Sequence, residues 1–156
     1  MKKALIGIGI GIAVVILVYL FLPEGARRYV DYYKMQVFDK DTYEEIVVVQ
    51  DAKVLNQDVY TYQEILEANV DNLCWTYDAV SNGDGTYNKT IVAYGSNLTL
   101  AYGEGGDSGV CQDSKLKLTF ELDTKGGYNL TAHIDGVKLS TDDRDRLLSK
   151  MCSLAK

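Results

Sequence analysis

The chain has 156 residues, 47% of them apolar and 24% charged, with three cysteines and a formal net charge of −6. That length fits a single domain, the apolar content excludes a disordered chain, and three cysteines are too few for a disulfide scaffold. The average hides an uneven distribution. Ala4 to Leu22 are 19 consecutive positions without a charge, and the 134 residues after Leu22 carry −8.

At about 1.5 Å of rise per residue, 19 residues span roughly 28 Å, close to the hydrocarbon thickness of a bilayer. A secretory signal core is shorter, about 7–15 residues, and ends at a small-x-small cleavage site. Neither Gly25 nor Ala26 completes such a site, because Pro23 and Glu24 occupy the position that should be small. Residues 1–22 are therefore expected to be a retained signal-anchor, residues 23–28 a juxtamembrane linker and residues 29–156 an outer domain. Tyr19 suits a membrane–water interface, and Pro23 stops the helix where water begins. Lys2 and Lys3 precede the span and Arg27 and Arg28 come after it, a slight bias towards a cytoplasmic N-terminus with the domain extracytoplasmic, or on the outside of a virion. Three sequons agree with that side, making Asn88, Asn97 and Asn129 candidate glycosylation sites. Gly7 and Gly11 form a small-xxx-small face through which two membrane helices can approach. The glycines do not make a dinucleotide fingerprint, which needs a preceding strand and a third glycine or alanine.

From Tyr29 the pattern changes. Tyr32 to Phe38 alternates partly, Asp39-Lys40-Asp41-Thr42 resembles a turn, and Glu44 to Val49 is β-branched, which together predict a hairpin. Thr61-Tyr62-Gln63-Glu64 matches a capping box, and Ile65, Leu66, Val70 and Leu73 come next at helical spacing. Cys74 to Val80 and Thr86 to Tyr94 flank the turn Asn82-Gly83-Asp84-Gly85 as a second hairpin. Asn97 to Tyr102 reads as a further short strand, and residues 103–109 as a glycine-rich loop. Leu116, Leu118, Phe120 and Leu122 alternate inward along the next strand, and Tyr128 to Ile134 comes after a turn at Lys125-Gly126-Gly127. Ser140 or Thr141 caps a last helix with Leu147, Leu148, Met151, Cys152 and Ala155 on one face. The expected fold is an N-terminal transmembrane helix plus an α+β domain. Its sheet is mainly antiparallel, with six or seven strands in hairpins, beside two short helices.

Candidate chemistry is sparse. Gly106-Asp107-Ser108-Gly109 resembles the active-site serine motif of trypsin-like proteases, a resemblance that implies a Ser108/His133 hydrolase. The departures are large: His133 comes after Ser108 where that family has its histidine first, and Val110 and Cys111 replace the rest of the motif. A solvent-facing strand position is the simpler account of His133. One histidine and three scattered cysteines make no zinc pattern. The Asn82–Gly85 turn fails as an EF-hand, because Val80 and Ile91 fall at ligand positions. Glu104, Asp107 and Asp113 could gather a weak calcium ion, though a solvated acidic loop accounts for them. No cofactor and no metal site is expected.

Of the three possible bridges, Cys74–Cys111 would tether the glycine-rich loop, with Cys111–Cys152 as its competitor and Cys152 otherwise a buried thiol. Twelve tyrosines stand against three phenylalanines, and Tyr29, Tyr32, Tyr33 and Tyr43 crowd the start of the domain. Tyrosine gives large amphipathic area at low entropic cost, which suits a surface that docks partners. Net negative charge and the lack of a basic run argue against nucleic acid. The sequence thus points to a non-enzymatic, single-pass anchored protein whose domain makes structural or binding contacts within a larger assembly, a cell envelope or a virion. Its expected partners are the lipid bilayer and other protein subunits, with a homo-oligomer through Gly7 and Gly11 among them. A ligand-binding or accessory subunit of a membrane complex is the alternative.

Overall fold

The computed structural model describes residues 17–56, 59–103 and 109–155. Gly7, Gly11 and Ser108 lie outside these, as does most of the expected anchor. Among the described residues no helix is long and apolar enough to cross a membrane. Residues 17–21 are helical.

The described chain is an α+β domain. Two helices, α1 (Glu24–Phe38) and α2 (Lys40–Gln50), come first. After the short 3-10 turn Val54–Asn56 comes α3 (Tyr62–Asn69). Five strands come next, β1 (Asp71–Ser81), β2 (Tyr87–Tyr102), β3 (Gly109–Leu122), β4 (Tyr128–Ile134) and β5 (Val137–Lys138), and then α4 (Thr141–Leu154). The strands pair in sequence order as one antiparallel meander. Such a sheet needs only tight turns, and Gly83, Gly85, Gly126 and Gly136 supply positive φ in them.

The expected hairpin over Tyr32 to Val49 is instead the helical pair α1–α2. What resembled a turn is a helix start: the Asp39 carboxylate accepts from the Thr42 N–H at 3.3 Å. The β-branched run is helical because Ile46, Val49 and Gln50 share one face that is buried against the core. Tertiary burial overrides a weak strand propensity. Gln50 donates from Nε2 to the Tyr32 hydroxyl at 3.0 Å, and the Tyr32 and Tyr43 rings lie 6.1 Å apart, joining the two helices. The sheet accordingly has five strands rather than six or seven. The capping box at Thr61 and Glu64 and the N-cap at Ser140 are where the sequence pattern puts them.

A single strand, β2, takes the place of two expected ones. It runs continuously from Tyr87 to Tyr102, bent where its register slips between Gly95 and Leu98. Matching slips occur in β1 between Asp71 and Cys74, and in β3 opposite Leu98 and Leu100. Each contains a residue at positive φ, namely Asn72 at 52°, Asn97 at 57° and Asp113 at 51°. These are β-bulges at residues that tolerate left-handed backbone. They curl the sheet's end so that Leu98, Leu100, Tyr102 and Cys111 join the same core as Trp75, Phe120 and Leu118. Ile65 and Leu66 of α3 and Leu147, Leu148 and Met151 of α4 cover this inner face. Tyr62, Phe120 and Tyr128 pack edge-to-face, with Tyr62 and Phe120 centroids 4.9 Å apart.

Candidate binding cleft

Alternation along the strands puts a second set of side chains on the outer face. Read across the pairing, one row runs Cys74, Tyr94, Lys117, His133, Lys138 over all five strands. The next rows, Thr76–Val92–Thr119–Thr131 and Asp78–Thr90–Glu121–Asn129, move from neutral to acidic. The outer face is therefore polarised, with its basic end beside the start of α1.

α1 closes over that end. Tyr32 and Met35 in its middle pack against the core, while Arg28, one turn before Tyr32, has its guanidinium 3.8 Å from the Tyr94 ring centre. Arg28 also pairs with Glu24 one turn earlier. Between α1 and the sheet is an open cleft of about 920 Å³. Glu24, Gly25, Ala26, Arg28 and Tyr29 line it from the helix, and Tyr94, Lys115, Leu116, Lys117 and His133 from the sheet. Cys74 is at its floor, 2% exposed, and burial pushes its thiol up to about 11. The His133 Nδ1 atom is buried without a hydrogen-bond partner. Arg28, Lys115 and Lys117 line the cleft with one carboxylate, Glu24, while Asp135 lies beside Lys115 and accepts from its backbone N–H at 2.8 Å, so positive charge gathers here on a domain of opposite net sign.

The expected sites fall differently. All three cysteines are free, which corrects the expected Cys74–Cys111 bridge. Cys111 belongs to the inner core whereas Cys74 lines the outer cleft. Cys111 also stands six residues along β3 from Lys117, which shares Cys74's row, a rise of about 20 Å. Disulfide geometry needs α-carbons within about 7 Å. Of the tyrosines expected to make a docking surface, Tyr29 lines the cleft, and Tyr32 and Tyr43 are half-buried between helices. Tyr33 remains 62% exposed. Asn88, Asn97 and Asn129 are all exposed, with Asn97 donating to Asp71 Oδ2 at 2.9 Å and Asn129 to Glu121 Oε2 at 3.3 Å. His133 is on the outer face, and Gly109, next to Ser108, begins β3 eight positions from His133's neighbour Lys117, a rise of about 26 Å. No cluster of three metal-ligating residues occurs among the described residues.

Arg28, Lys115 and Lys117 are not apparent as a group in the sequence because they come from separate segments. The only local signal is the Lys115-x-Lys117 spacing, which puts both side chains on one strand face. Comparison with protein-family models, curated proteins and solved structures finds no match to this chain.

Proposed function

We propose that this chain is a non-enzymatic, single-pass membrane protein whose outer domain makes structural or binding contacts within a larger assembly, either a cell envelope or a virion. The observation that carries this reading is an exposed apolar stripe that leads out of the apolar segment. Leu17, Val18, Leu20 and Phe21 are all more than half exposed, and Val30, Tyr33 and Val37 recur at helical spacing along α1 with 43%, 62% and 61% exposure. Such a stripe in water marks a surface that meets lipid or another protein. The segment is coupled to the domain rather than hung from it. Arg27 Nη2 donates to the Leu20 and Leu22 carbonyls at 3.3 and 3.0 Å, and the Tyr19 hydroxyl donates to both Asp31 oxygens at 2.8 Å. In this reading lipid holds residues 4–22, and the α1 stripe and the Gly7/Gly11 face meet other subunits, a second copy of this chain among them.

The test is fractionation of the full chain from its native membrane, followed by native electrophoresis in mild detergent. Extraction only by detergent, as a defined assembly that Tyr33→Asp with Val37→Asp disperses, is the expected result. Release of the full chain by alkaline carbonate, or a strictly monomeric species, would overturn it. The ligand-binding or accessory-subunit reading is favoured by one observation, the basic cleft beside α1.

A further inference from the structure

We propose that the cleft between the start of α1 and the outer face of β2, β3 and β4 binds a phosphate-class anion. This deepens the ligand-binding reading above and rests on it.

Charge is the first ground. Glu24 is the one carboxylate lining the cleft, and Arg28 already engages it. Among the described residues, no carboxylate lies within ion-pair distance of Lys117 or Lys138, and Lys115 has only the electrostatic attraction of Asp135 outside the lining. Lys117 and His133 are direct cross-strand neighbours, and Lys138 flanks His133 on the other side. Alternation along β3 puts Lys115 and Lys117 on the same face, two cations on one side of the strand. An anion lying across Lys117 and Lys115 would be attracted by both.

Unmet hydrogen bonding is the second. Pro23 precedes α1 and no side chain caps its first turn. Proline lacks an N–H and a helix start leaves its first N–H groups without intrahelical partners. Glu24, Gly25 and Ala26, which carry those groups, all line the cleft. A Cβ on Gly25 would meet nothing within 4 Å, so the backbone there borders open space. An anion at a helix start accepts from such N–H groups and is favoured by the helix dipole. His133 lines the same cleft, half-buried, with its Nδ1 buried and without a hydrogen-bond partner.

Shape and chemistry narrow the ligand. The volume lies in the range of small-molecule sites, and Ala26, Tyr29 and Tyr94 offer apolar surface next to the cations. Two lysines, an arginine and a helix start provide more donors than one carboxylate can accept. A phosphoryl group has enough oxygens and charge to use them. The source can be free phosphate chemistry or the headgroup of an anionic lipid.

The test uses the full chain in a non-ionic maltoside detergent and phosphate-free buffer at constant ionic strength. His133 is the only histidine, so its ring proton resonances report on the cleft without assignment ambiguity. Inorganic phosphate, acetate, short-chain phosphatidylglycerol and short-chain phosphatidylcholine are titrated separately, with chloride as the reference anion. A saturable shift with phosphate or phosphatidylglycerol but not chloride is expected. Lys117→Ala should weaken it about tenfold, while Lys125→Ala, in the remote β3–β4 turn, should bind as the parent does. Tighter binding of phosphatidylglycerol than of phosphate, with phosphatidylcholine inert, assigns the source to an anionic headgroup; equal affinities assign it to free phosphate. No saturable shift with any phosphate probe, or a shift that Lys117→Ala leaves unchanged, overturns the proposal. If acetate saturates the resonances and phosphate does not, the phosphate class falls and the ligand-binding reading stands.

Discussion

The Arg28 guanidinium lies 3.8 Å from the centre of the Tyr94 ring, and this contact joins α1 to the outer face of β2. The same ring has Lys117 Nζ 5.9 Å from its centre, so Tyr94 is a shared platform for two cations at the mouth of the cleft. A cation over an aromatic face contributes about 0.5–2 kcal/mol, depending on desolvation. Arg28→Ala is expected to cost about 1 kcal/mol and to speed amide exchange in the first half of α1. Exchange in β2 and β3 should hardly change, because their core faces the other way. Uniform loss of protection across the sheet would show that α1 is not held separately.

Gly95 sits where α3 ends against the sheet. A Cβ there would lie 2.4 Å from Val70 Cγ2 and 2.7 Å from Val70 Cβ. The second contact is to an atom fixed to the backbone, so rotation of the valine cannot relieve it. Gly95→Ala should therefore lower stability by about 1–3 kcal/mol. Adding Val70→Ala, which removes the opposing methyls, should recover part of that loss in a double-mutant comparison by chemical denaturation. Strict additivity of the two costs would refute the clash.

Asn97 marks the bend in β2, at φ 57°. A β-branched side chain disfavours this backbone by about 1–2 kcal/mol, whereas glycine adopts it freely. Asn97→Val should therefore be destabilised, and Asn97→Gly should remain near the parent or lose only the bond to Asp71. Equal melting temperatures for the two variants would show that the bulge does not need left-handed backbone.

Two carboxylates give a pH dependence with a defined sign. Glu64 is held below its ordinary value of 4.5 by the Thr61 backbone N–H and then by the Thr61 hydroxyl. Asp135 is held below 3.8 by the Lys115 N–H and then by Ser114. A carboxyl whose folded pKa is depressed leaves the unfolded chain binding more protons, so its stabilisation is complete above the unfolded value. It is lost as the pH falls through the depressed folded value. Stability should therefore be flat above about pH 5 for these groups and decline below about pH 4.5. Glu64→Gln should shallow that decline, as read from denaturation midpoints across the acid range. Thr61→Ala should cost about 1 kcal/mol at neutral pH through the lost cap.

The thiols separate by burial. Cys74 and Cys111 are each 2% exposed, and Cys152 is half-buried on α4. Burial pushes all three thiols up. A thiol-specific reagent at about pH 8 should consume Cys152 first and the other two only as the domain opens. All three should react after denaturation without reductant. Fewer than three reactive thiols in that state would indicate a bridge.

Much of the sheet is legible in the sequence because its signals are local. Leu116, Leu118 and Phe120 alternate, and the turns at Asn82–Gly85 and Asp135-Gly136 need backbone that glycine supplies. Thr61 with Glu64, and Ser140, carry their caps within three residues. The first helices are not legible. Glu44 to Val49 is as β-branched as any strand here, and only burial of Ile46 and Val49 against Trp75 and its neighbours makes helix the better solution. The bulges that fuse two expected strands into β2 depend on three strands slipping together.

By itself, then, the sequence determined the 19-residue uncharged run, the acidic charge of the chain beyond Leu22, the sheet's hairpins and the caps of α3 and α4. Each depends on residues close together in the chain. The tertiary structure decided the helical start of the domain, the separation of Cys74 from Cys111 and the gathering of Arg28, Lys115, Lys117 and His133 around one cleft. Those outcomes depend on which faces are buried together and which strands lie side by side, and local spacing carries no record of either.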